Sequence, residues 1–234
     1  MSALRGKELA ALEREIVCCR RCPRLVAWRE TVAREKRASF RDEVYWGRPV
    51  PGFGDSEAGV VVFGLAPAAH GANRTGRYFT GDRSGDFLFA ALHRVGFASS
   101  PVSRRSEDGM RLSGLWISAA VRCAPPQNKP TPSERDACLP YAARELRLLD
   151  AKVVVCLGAF AWDAALRLLE VSPKPKFAHG GEHRVGSLVL LGCYHPSQQN
   201  TFTGVLTPEM LEAVLSRARE LSGNGTREGE GLVG

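Results

Sequence analysis

Three observations in this chain predict an α/β fold built on a parallel sheet with helices on both faces. Short runs rich in β-branched residues recur at Val60-Val61-Val62-Phe63, Leu115 to Val121, Val153-Val154-Val155 and Leu188-Val189-Leu190-Leu191. They are continuously apolar rather than alternating, as strands buried on both faces are. A helical pattern follows each run, the order expected of a sheet whose crossovers are helices. The carboxyl ends of the runs, where open sheets of this kind bind ligands, are Gly64-Leu65-Ala66-Pro67, Arg122-Cys123, Leu157-Gly158 and Tyr194-His195, and three of these open a segment rich in polar chemistry.

In chain order, residues 3–18 read as a helix with Leu4, Leu9, Leu12 and Ile16 on one face. Cys19-Arg20-Arg21-Cys22 follows, and a second helical stretch starts near Arg24. Arg41 to Ser56 mixes Gly47, Pro49, Pro51, Gly52 and Gly54 with aromatic residues, which makes it an irregular loop that packs by its rings. The strand at Val60 leads to a helix over Gly85 to Val95. The strand from Leu115 leads to a helix that opens on Thr131-Pro132-Ser133-Glu134, a capping box with proline at the first helical position. Ala159 to Leu169 continues as helix after the third strand, and Thr207-Pro208-Glu209 opens a last capped helix after the fourth. The final stretch, GNGTREGEGLVG, is too poor in apolar residues to pack. One domain over residues 1–222 and a disordered tail over 223–234 are therefore expected.

With 234 residues and 44% hydrophobic content, the chain can bury one substantial core. Its longest apolar runs fall far short of the roughly 20 residues that span a bilayer, and MSALRGKELA holds no apolar signal core. A soluble cytoplasmic protein without a membrane partner is expected. The net charge of +7 and pI near 9.2, with many arginines in Gly/Pro-rich stretches, favour a polyanionic partner.

Seven cysteines, an odd number, speak for thiolate chemistry rather than a disulfide scaffold. Cys19 and Cys22 are spaced to share one metal, and Cys123 and Cys138 stand at a strand end and inside the next helix. Four thiolates suit either tetrahedral zinc or an iron–sulfur cluster. The wide gap between the second two fits the larger object better. Cys156 and Cys193 read as core, and Cys18 competes with Cys19 for the ligand role.

Three segments at strand ends carry the remaining chemistry. The stretch from Gly64 to Asp82 offers small residues where a backbone must approach something flat, then the ring of Phe79 and the carboxylate of Asp82. Asp82 can equally cap the helix near Gly85. Arg122 to Pro130 is a proline-stiffened loop presenting Asn128 and Lys129. His195 ends the last strand before Pro196, Ser197 and Gln198, and can either be satisfied in packing or take part in catalysis.

Taken together, the GLAPAAHGANRTGR and FTGD segment, the VRCAPPQNKP segment and the HPS segment resemble the uracil-DNA glycosylase superfamily, and specifically its fifth, iron–sulfur family. The resemblance runs from Cys19 to about Asn200 and joins four motifs in order. It implies a three-layer α/β/α sandwich around a four-stranded parallel sheet. It also implies a [4Fe–4S] cluster on Cys19, Cys22, Cys123 and Cys138, and hydrolysis of the N-glycosidic bond of deoxyuridine in DNA. Where better-known branches carry an acidic residue to activate water, this chain has Leu65 and Ala66; where they carry an asparagine that reads uracil, it has Ala119.

The resemblance points to Asn128 as holder of the hydrolytic water, with Asp82 as an auxiliary polar group near the sugar and His195 on the leaving base. Phe79 is expected to stack on a flipped base in a pocket bounded by Gly64, Ala66, Ala68 and Ala119. Asn73, Arg74, Lys129, Ser197 and Gln198 are expected to touch double-stranded DNA carrying damaged bases. The expected enzyme is a monomer that acts at the bacterial nucleoid.

Overall fold

A computed structural model describes residues 2–223. The elements run, in chain order, α1 (Ser2–Val17), α2 (Pro23–Glu35), β1 (Phe53–Gly54), β2 (Val60–Gly64), α3 (Ala72–Thr75), α4 (Arg83–Arg94), β3 (Leu115–Ala119), α5 (Pro132–Leu149), β4 (Val153–Leu157), α6 (Ala159–Leu168), β5 (Glu182–Val185), β6 (Leu188–Cys193), α7 (Gln198–Phe202) and α8 (Pro208–Leu221). The tail expected from 223 onward lies, Gly223 apart, outside the described residues. No helix among those described is long and apolar enough to cross a membrane.

The sheet corrects the expected strand count: it has six strands in the order β1-β3-β2-β4-β6-β5 rather than four. The four apolar runs form its parallel centre, with Val60 opposite Leu115 and Val153, and Val153 opposite Val189. Both edges are antiparallel strands, Phe53–Gly54 against β3 and Glu182–Val185 against β6. Neither edge reads as a buried strand in sequence, because an edge strand contacts the core on one side at most and needs no apolar run. Gly54, at φ 145, is required where it lies: a side chain there would begin 2.3 Å from the Leu115 carbonyl oxygen. The second run ends as a strand at Ala119, two residues earlier than expected.

Side chains alternate across the central strands and so feed two cores. Val60, Val62, Ile117, Val155 and Leu191 face one way and pack with Leu88 and Leu92 of α4 and Leu211 and Leu215 of α8. Val61, Phe63, Val154 and Leu190 face the other way, against Leu139 and Ala142 of α5 and Trp162 and Leu166 of α6. The three-layer expectation holds around the mixed sheet. A third, smaller core joins Leu12 and Ile16 of α1, Leu25 of α2 and Tyr141 of α5 with Cys123 and Cys138. The capping box at the start of α5 is formed as its sequence predicts, with Thr131 Oγ1 accepting from the Glu134 N–H and the Glu134 carboxylate accepting from the Thr131 N–H.

One polar junction lies inside this packing. Arg122, just beyond β3, and Glu145 of α5 are both almost wholly buried and pair through two hydrogen bonds of 3.1 and 2.6 Å. Glu145 also accepts from Ser118 Oγ at 2.6 Å and from the Gly52 N–H at 3.3 Å. Replacing Glu145 by alanine strands a buried guanidinium. We expect a loss of about 3–5 kcal/mol of stability in denaturant unfolding, whereas Arg122→Met with Glu145→Leu should recover much of it, because apolar pairs of similar volume often replace buried ion pairs at little cost.

Candidate active site

A cleft of about 750 Å³ opens at the carboxyl ends of the parallel strands and collects residues from four separate strand ends. Gly64, Ala66, Ala68, Phe79, Asp82, Ala119, Asn128, Lys129, His195 and Ser197, all singled out in the sequence, line it.

Phe79 lies in left-handed backbone at φ 51, which costs strain for a bulky residue. Two glycines make room for it. A methyl on Gly64 would touch the far edge of its ring at 3.4 Å, and one on Gly85 would sit 1.9 Å from its carbonyl oxygen.

Asp82 does cap α4: its Oδ1 accepts from the Gly85 N–H at 2.9 Å. Its Oδ2 lies over Gly71, where a side chain would begin 2.2 Å away. Burial holds the carboxyl pKa above its ordinary value. The cap does not take Asp82 away from the cleft, whose wall it also forms.

Asn128 and its neighbour Gln127 are both left-handed, at φ 57 and 54, in a short 3-10 turn between Pro125 and Lys129. Proline stiffness alone did not foretell that geometry. Asparagine tolerates it better than most residues, since its short amide can bond locally.

His195 is half-buried in the cleft wall, and its ring lies 6.2 Å from that of Phe79 at a tilt of 41°. Its carbonyl oxygen accepts from Asn200 Nδ2 at 2.9 Å and from the Ser197 N–H at 2.8 Å, which fixes the turn that follows. Burial pushes the imidazole pKa down to about 4, so the ring is neutral at physiological pH.

Several cleft residues escaped sequence reasoning. Phe160, 69% exposed, stands at the mouth two residues beyond Gly158, a strand end that sequence had already placed at the binding edge. Phe177 and Tyr194 add rings whose centroids lie 6.0 Å apart. Phe177 comes from an irregular segment that carries no local signal.

Two expected DNA contacts are corrected. Asn73 is fully buried and donates from Nδ2 to the Arg29 carbonyl at 3.2 Å. Arg74 is buried as well, with its guanidinium on Glu43, on the Gly81 carbonyl at 2.7 Å and on the His70 carbonyl at 2.9 Å, 4.0 Å from the Phe40 ring centroid. Both staple the loop instead of facing outward. Exposed Gln198 lies on a neighbouring groove of about 1130 Å³, which shares Ala68, Asp82, Ser84 and Asn128 with the cleft and presents Arg37, Arg83 and Arg104.

Cys19, Cys22, Cys123 and Cys138 line one small apolar void. Exposed Cys18 lies outside that void, and Cys156 and Cys193 are buried in the sheet. Among the described residues no His/Cys/Asp/Glu group forms a ready-made site for a single metal ion. Burial raises the thiol pKa values of Cys22 and Cys123 and pushes that of Cys138 up to about 12. Against this stands Arg29, only 2% exposed, with Nη1 2.9 Å from Cys123 Sγ and no partner for its Nε. A guanidinium is hard to bury without an anion beside it. The Arg122 N–H also donates to Cys138 Sγ at 3.3 Å. This donor set suits a group that keeps the sulfurs as thiolates.

An α/β sandwich with an aromatic, polar-edged cleft at its carboxyl edge defines a class that the family comparison names. The chain belongs to the uracil DNA glycosylase superfamily, whose family model matches residues 51–219. Within it the chain groups with proteins called type-5 uracil-DNA glycosylase. It is 57% identical over 221 residues to that of Mycobacterium tuberculosis, covering 92% of this chain and 81% of the relative. It is 53% identical over 217 residues to that of Thermus thermophilus, covering 91% and 98%. A type-4 uracil-DNA glycosylase of Pyrobaculum aerophilum is 32% identical over 126 residues, covering 53% and 57%.

The depressed pKa of His195 has a direction in solution. Below about pH 6.5 the unfolded chain takes up a proton at this histidine that the folded chain refuses until about pH 4. Stability from this group is thus complete above pH 6.5 and is lost as the pH falls from there towards 4. NMR titration should show a neutral His195 ring at pH 5, and His195→Phe should flatten this part of the stability profile.

Proposed function

We propose that this protein hydrolyses the N-glycosidic bond of uracil in double-stranded DNA, and of other deaminated bases, leaving an abasic site in an intact strand as the first step of base excision repair. One observation carries the reading: Phe79, Asn128 and His195, from three separate strand ends, share one cleft. A base inside a duplex is out of reach and must be flipped at a cost of about a few kcal/mol, least where pairing is already poor. In the cleft the flipped base stacks on Phe79. As the bond breaks, positive charge grows on the sugar and negative charge on the base.

Neutral His195 donates a hydrogen bond to the departing base, a preorganised interaction of the kind worth about 3 kcal/mol. Asn128 aligns water on C1′, and Asp82 acts on the cationic sugar or that water. Ala119 imposes no hydrogen-bond test on the base edge, so shape and ease of flipping decide what enters, and hypoxanthine and hydroxymethyluracil become admissible. Exposed Lys129, with Arg37, Arg83 and Arg104 of the adjoining groove, supplies the phosphate contacts. The enzyme acts as a monomer.

Cys19, Cys22, Cys123 and Cys138 would hold a [4Fe–4S] cluster, a reading supported by their shared void and by the buried Arg29 against Cys123. Bound there, such a group ties α1 and α2 to the segment beyond β3 and performs no redox step in base release.

Asn128→Ala and His195→Ala should each slow single-turnover release of uracil by about a hundredfold with DNA affinity nearly intact. Loss of affinity in step with rate would make them DNA-positioning residues instead. Protein purified without oxygen should be brown with broad absorbance near about 400 nm. Colourless, zinc-loaded protein would refute the cluster.

A further inference from the structure

Arg24 lies in the first turn of α2, two residues beyond Cys22, and reaches across to the loop that carries Asn128. Its Nε and Nη2 grip the Glu134 carboxylate at 2.8 and 2.6 Å, and Nη2 also donates to the backbone carbonyl of Lys129 at 3.2 Å. Glu134 is itself fixed, buried and closing the capping box of α5. One guanidinium thus joins α2, the start of α5 and the Lys129–Pro130 peptide, the second after Asn128.

The loop has reason to need the grip. Two consecutive residues without the freedom of glycine hold left-handed backbone, Gln127 and Asn128, and both are exposed, so packing does little to restrain them. Within the turn two backbone bonds help, Asn128 N–H to Pro125 O at 3.2 Å and Lys129 N–H to Pro126 O at 3.0 Å. Any relaxation of the pair towards ordinary backbone swings the Asn128 side chain away from the direction it now takes. The Lys129 carbonyl, one peptide along, is the point at which a firm element holds the loop.

We propose that Arg24 is a positioning residue for base release: it fixes the Lys129 carbonyl so that the strained Gln127–Asn128 pair keeps its amide on the cleft wall. This rests on the reading of Asn128 as the holder of water. As a mere surface ion pair, with Arg24 44% exposed, the contact would add little to stability and nothing to rate. As a phosphate ligand, Arg24 would contribute to the salt dependence of DNA binding.

The test is a double-mutant cycle on full-length protein, with uracil release measured in single turnover at saturating uracil-containing duplex. Arg24→Ala should slow release by about tenfold, as small misplacements of reacting groups do. The DNA dissociation constant and its salt slope should stay within about twofold of the unaltered protein. Because Arg24 acts through Asn128, Arg24→Ala combined with Asn128→Ala should be no slower than Asn128→Ala alone. Arg24→Lys preserves the charge facing Glu134 but not the fork that also reaches Lys129. It should fall between the two, and it carries the same cycle if the alanine variant fails to fold.

Multiplicative losses in the double variant, or a reduced salt slope, would overturn the proposal while leaving Asn128 its role. An unimpaired Asn128→Ala would remove the role of Asn128 and, with it, that of Arg24.

Discussion

The buried pair of Arg122 and Glu145 is the constraint on which the site's geometry depends. Apolar contacts hold the sheet and helices together but are non-directional and tolerate small slides. A forked, charge-assisted bond does not. Through it α5 is fixed against the end of β3, and the Ser118 hydroxyl and Gly52 N–H complete the carboxylate's partners. The Val50 N–H then donates to the Arg122 carbonyl at 2.7 Å, so the aromatic loop is drawn to the same point. From there Cys123 and the Pro125–Lys129 turn leave the sheet in one direction, while Cys138 lies on the helix that Glu145 anchors.

The cleft itself is made of strained backbone braced by its surroundings. Phe79, Gln127 and Asn128 all hold positive φ, and each of those conformations costs free energy that local sequence does not repay. Compensation is visible around them. Gly64 and Gly85 remove the atoms that would collide with Phe79, the α5 capping box closes the turn beyond Asn128, and Gly158 admits His195, whose Cβ would lie 3.3 Å from a methyl there. The low-dielectric wall that keeps His195 neutral also holds the Asp82 carboxyl pKa up. A base and an acid respond in opposite directions to burial, because in each case it disfavours the charged form.

Arginine serves two separate purposes. Arg29, Arg74, Arg77 and Arg122 are buried and spend their donors on carbonyls, carboxylates, hydroxyls and a thiol. They organise the loops around the cleft and the cysteine void. Arg37, Arg83 and Arg104 instead line the groove beside the cleft. Net charge cannot separate these roles, because both kinds contribute equally to it.

Sequence by itself determined the central four strands, the helices between them and the capped starts of α5 and α8, since each rests on local periodicity or on a cap spanning a single turn. It also placed Phe79, Asp82, Asn128 and His195 at one edge, because a parallel sheet gathers its strand ends there. The antiparallel edges β1 and β5 were not legible: an edge strand buries too little to leave an apolar pattern. Nor was the inward turn of Asn73 and Arg74, two polar residues in a glycine-rich loop whose partners, Arg29 and Glu43, are distant in sequence. Only the tertiary structure separates Cys19, which lines the void with Cys22, Cys123 and Cys138, from exposed Cys18, which lies outside it, since adjacent residues on a turn point to different sides. It alone set the left-handed backbone of Phe79 and Asn128, because such strain is sustained by neighbours that the fold supplies and the local sequence does not.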